Sequence, residues 1–68
     1  MLNEAEIDEL RQLMHAYSAS DVLHGLRHAL LLDAEEPERH GAVANADAHR
    51  KAARIIGKAA AKVYQEVG

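Results

Sequence analysis

The chain predicts an all-α fold: an antiparallel helical hairpin plus one long C-terminal helix, forming a three-helix bundle that dimerises. Three observations lead there. Fourteen alanines, a single proline, no tryptophan or phenylalanine and few β-branched residues favour helix from end to end. Apolar side chains recur at three- and four-residue intervals, and no stretch alternates as a strand would. Leu30, Leu31 and Leu32 then stand in succession. At 100° per residue they point in three directions, so the helix carrying them needs cover on more than one side.

The first helix is expected over about residues 4–17. Asn3 is a good N-cap, and Glu6 three residues on completes a capping-box pattern. Ile7, Leu10, Leu13, Met14 and Tyr17 share one arc, expected to be the buried stripe of a surface helix, with Glu4, Asp8, Arg11, Gln12 and His15 opposite. Ser18 to Asp21 carries the next stop and start, with either Ser18 or Ser20 able to cap and Asp21 placed to answer Ser18 as a second capping box. So short a link predicts that helices 1 and 2 are antiparallel neighbours.

The second helix is expected over about residues 21–34. Val22, Leu23, Leu26, Ala29 and Leu30 form one face, while Leu31 and Leu32 flank His24 and His28 elsewhere. Pro37 disfavours helix in the residue before it and suits the first turn of a new helix, so the third helix is expected over about residues 38–67. It would be roughly 45 Å long at 1.5 Å per residue. Its narrow apolar face carries Ala42, Ala46, Ala52, Ala53, Ile56, Ala59, Ala60, Val63 and Val67. A break near Gly41 to Ala48, or an overhang that needs a partner, would reconcile its length with the shorter helices.

The 68 residues are expected to form a single domain. Domains of this size bury only about 60% of their unfolded surface and often depend on disulfides, metal or association. The absence of cysteine leaves the last, a histidine metal site or unusually good helix packing. The N-terminal residues lack a basic region followed by an apolar run, and the longest strictly apolar run is Ala29 to Leu32, so a soluble, cytoplasmic protein is expected. The net charge of −3 divides unevenly: residues 1–40 hold nine acidic and three basic side chains, residues 41–68 two and five.

Leu31, Leu32, His24 and His28 form the candidate partner-binding surface, with histidine chemistry offering pH sensitivity. His24 and His28, four residues apart with Asp21 one turn earlier, form a weak candidate metal set. Arg50, Lys51, Arg54, Lys58 and Lys62 make a cationic stripe able to track phosphates, set against the simpler reading of a solvated outer face. A helix-turn-helix fits poorly, because Asp33-Ala34-Glu35-Glu36 would meet the phosphate backbone. His49 and Asn45 lie on the alanine side, where an inter-helix polar contact would fix register. His15, Ser18 and Asp21 superficially supply base, nucleophile and carboxylate, but the last two have capping roles and no oxyanion hole is suggested. The expected function is therefore non-enzymatic and needs no cofactor: a small adaptor, regulator or inhibitor acting as a helical homodimer, with a nucleic-acid-associated regulator as the alternative and a metal-binding module third.

Overall fold

The computed structural model describes all 68 residues as three helices and no strand: α1 (Glu4–Ala16), α2 (Ala19–Arg39) and α3 (Val43–Glu66). Both expected capping boxes are formed. The Glu6 N–H donates to the Asn3 side chain at 2.8 Å and the Asn3 N–H to the Glu6 carboxylate at 3.0 Å. At the second, the Asp21 N–H donates to Ser18 Oγ at 3.2 Å and the Ser18 N–H to the Asp21 carboxylate at 3.4 Å. Because Ser18 is the cap, α2 begins at Ala19, two residues before the expected start.

The second boundary differs more. Pro37 does not open α3; it lies inside the last turn of α2, which runs on to Arg39. The stop is Gly41, in the left-handed region at φ 81°. Its N–H donates to the Glu38 carbonyl at 3.1 Å, and the Ala42 N–H donates to the Pro37 carbonyl at 2.7 Å. These two bonds form a Schellman motif, which satisfies carbonyls at the end of α2 and requires a residue free of the Cβ penalty at position 41. The expected helix over residues 38–67 is thereby shortened to 24 residues, close to the 21 of α2. No long overhang remains, and the chain breaks at His40 to Ala42.

The hairpin is also a different pair. α2 and α3 pack closely along their lengths, whereas α1 touches only α2, and lightly. Glu38 bonds Arg50 near the turn, and Arg27 lies against Gly57 farther along, so the two helices run antiparallel. Their seam has a seven-residue period. On α3 it consists of buried Ala46, Ala53 and Ala60 alternating with half-buried His49, Ile56 and Val63. On α2 it runs through buried Ser20 and Ala34 and half-buried Leu23, Leu30 and Pro37, with Arg27 midway between Ser20 and Ala34. This is the coiled-coil spacing, with alanine at one of the two core positions throughout α3 and small residues at both ends of the matching series on α2, so that the backbones approach closely. Ser20, the only buried polar residue, shares a hydrogen bond of 3.0 Å with the Ser18 hydroxyl.

The rest is open. α1 buries no residue, and no large side chain in the molecule is fully enclosed. The Cα radius of gyration is 13.7 Å, against about 11 Å for a compact chain of this length, and the shortest extent is 17 Å. Replacing Ala53 by leucine, at the middle of the seam, forces the helices apart and is expected to cost about 1–3 kcal/mol in urea unfolding.

Candidate functional site: an apolar cleft and a basic groove on opposite sides of α2

Two concave surfaces flank α2. The larger is a cleft of about 750 Å³ between α1 and α2, shaped by Leu10, Leu13 and Tyr17 on one side and Val22, Leu26 and Ala29 on the other. Gly25 lies at its floor with open space where a Cβ would stand. The cleft exists because α1 and α2 meet only at the Tyr17-Ser18 link, where the Ser18 cap sets the direction of α2, and then splay. Leu10, Leu13, Tyr17 and Leu26 are all exposed, and Ile7 and Met14 extend the same apolar arc of α1.

The smaller is a groove of about 520 Å³ where α2 meets α3. Arg50, Arg54 and Lys58 enter it from α3, and His24 and Arg27 from α2. Arg50 is engaged by carboxylates: it bonds Glu38 and lies 3.7 Å from Asp47. Arg27, Arg54 and Lys58 form no ion pair. The Arg27 stem lies close against Gly57, where a Cβ would stand 3.0 Å from Arg27 Cδ.

The structure divides the expected partner-binding surface. Leu31 is half-buried beside the basic groove, which exposed His24 also lines, whereas Leu32 and His28 lie outside it, Leu32 being 53% exposed. Most of the exposed apolar surface around α2 lies instead in the cleft, on the part of α1 that was expected to be a buried stripe. Of the cationic stripe, Arg50, Arg54 and Lys58 line the groove, while Lys51 and Lys62 are exposed outside it.

The candidate metal set is not assembled. Asp21 is committed to the Ser18 capping box, and no three metal-ligating side chains converge anywhere in the molecule. His49 makes no hydrogen bond to α2; its Nδ1 lies 2.9 Å from the Asn45 carbonyl of its own helix, while Asn45 itself is exposed. Arg27 and Gly57 are not among the site residues expected from the sequence. The signal for both was the seven-residue seam, since Arg27 falls midway between Ser20 and Ala34, and Gly57 beside Ile56 on the facing helix.

No family model, curated protein or solved structure matches the chain. Its functional reading rests on the geometry and chemistry of these two surfaces. Because His24 and His28 lack a converging third ligand, equimolar zinc is expected to leave the melting temperature unchanged in a calorimetric scan; a rise of several degrees would show that a ligand set forms.

Proposed function

We propose that this chain is a non-enzymatic helical interaction module that works as a homodimer, each copy covering the α1/α2 cleft of the other. The observation that carries this reading is the surface the single chain leaves uncovered. It exposes 5460 Å², whereas a compact protein of its 7.4 kDa exposes roughly 4,200 Å². The excess of about 1,250 Å² exceeds the roughly 800 Å² that each partner buries in a standard protein interface.

Much of the exposed apolar side-chain surface is contiguous with the cleft. An amphipathic helix laid in an apolar groove is a recurring mode of recognition, and α1 is itself such a helix, edged by such a groove. Two copies related by a two-fold axis would bring α1 of each against the cleft of the other, a self-complementary arrangement. Partner and protein would then be present in equal amounts without any further component. A different protein in the cleft is the competing occupant, and the assembly state of the purified chain decides between them.

Light scattering on a size-exclusion column over a hundredfold concentration range is expected to give a mass of twice 7.4 kDa. A monomer at every concentration would overturn the homodimer. Replacing Leu13 by glutamate is expected to weaken association about thirtyfold or more, the effect of losing an interface hot spot. The control is Ile55→Glu, on the α3 face opposite the seam and 57% exposed, which should leave the mass unchanged. Circular dichroism of both variants separates loss of association from loss of helix, and an intact dimer in the Leu13 variant would exclude the cleft as the interface.

A further inference from the structure

The basic groove is independent of the cleft. At 100° per residue, Val22, Leu26 and Ala29 point to one side of α2, and His24, Arg27 and Leu31 nearly to the opposite side. A dimer formed through the cleft leaves the groove open.

Its charge is unusual in this molecule. The chain as a whole carries −3, yet Arg27, Arg54 and Lys58 converge without a carboxylate partner, and Arg50 stands beside them. Arg50, Arg54 and Lys58 follow one another at four-residue spacing on α3, where like charges destabilise a helix. Arg27 joins them from the other helix, its stem lying close against Gly57. Such an arrangement opposes folding in the absence of an anion and is relieved by one.

We infer that this groove is a phosphate-binding site, in which a phosphoryl group of the ligand is held between Arg27 of α2 and Arg54 and Lys58 of α3. Guanidinium groups present paired donors that match phosphate oxygens, and lysine adds a compact point charge. The carboxylates near the groove, Glu38 and Asp47, are both engaged with Arg50, so they do not cancel the other three cations. No aromatic side chain lines the groove to stack a base, so the phosphate is the recognised group, whether it belongs to a small polyphosphate or to a nucleic-acid backbone.

The test is thermal unfolding and calorimetric titration of the full chain at low salt, with inorganic tripolyphosphate in one arm and a short single-stranded oligonucleotide in the other. Saturable binding in at least one arm, weakening as salt is raised, is expected, and the arm that binds more tightly identifies the source of the phosphate. Arg27→Gln and Arg54→Gln should each weaken binding about tenfold, the value of a charge-assisted hydrogen bond. Lys62→Gln removes the same charge outside the groove and should have a much smaller effect. Absence of binding in both arms would overturn the site. So would losses that follow net charge alone, with the Arg27, Arg54 and Lys62 variants equivalent.

Discussion

The close approach of α2 and α3 along a line of alanines is the constraint from which the rest of the structure follows. Ala46, Ala53 and Ala60 recur every seventh residue and are enclosed almost completely. Small side chains let two backbones come near enough for many weak dispersion contacts, but each buries little apolar area of its own. Leu23, Leu30, Ile56 and Val63 beside the seam are only half-buried. A seam this narrow holds two helices together and has no depth in which to receive a third. The light attachment of α1 is thus a direct result of the residues that make the α2/α3 pair tight.

α2 consequently presents three distinct sides. One side meets α3, one lines the apolar cleft, and one contributes to the basic groove, leaving Leu32 and His28 outward. The three successive leucines find their explanation here. Leu30 and Leu31 are half-buried on the α3 side, and Leu32 stands apart from both. The two concave surfaces also differ in chemistry, one almost wholly apolar and the other dominated by cations. A ligand on one has no steric reason to compete with a ligand on the other.

The starts of α1 and α2 were legible in the sequence because N-caps act locally: Asn3 with Glu6, and Ser18 with Asp21, each satisfy backbone donors within four residues, whereas α3 has no side-chain cap to announce it. Pro37 misled because its effect on the preceding residue is a bias, and near the end of α2 its missing N–H costs only one intrahelical bond. Gly41 carried the true stop, through a left-handed conformation that a lone glycine in the sequence does not announce. The face of α3 was legible only in part. Among so many alanines, Ala46, Ala53 and Ala60 look no different from exposed Ala42 and Ala59, and only the facing helix selects between them. The cationic stripe was visible as a periodicity, but the groove depends on Arg27 meeting Gly57, thirty positions away, and local spacing cannot reveal that. The amphipathic stripe of α1 was read correctly as apolar and wrongly as covered.

A seam built from one repeated small residue is nearly the same after a slide of one heptad, so alanine alone does not select among registers. The turn at His40 to Ala42 does. Its two hydrogen bonds fix where α3 departs from α2, and only from that starting point do Arg27 and Gly57, or Glu38 and Arg50, come level. The left-handed glycine is therefore the index mark of the molecule, a single backbone angle that sets the alignment of two helices along their whole length.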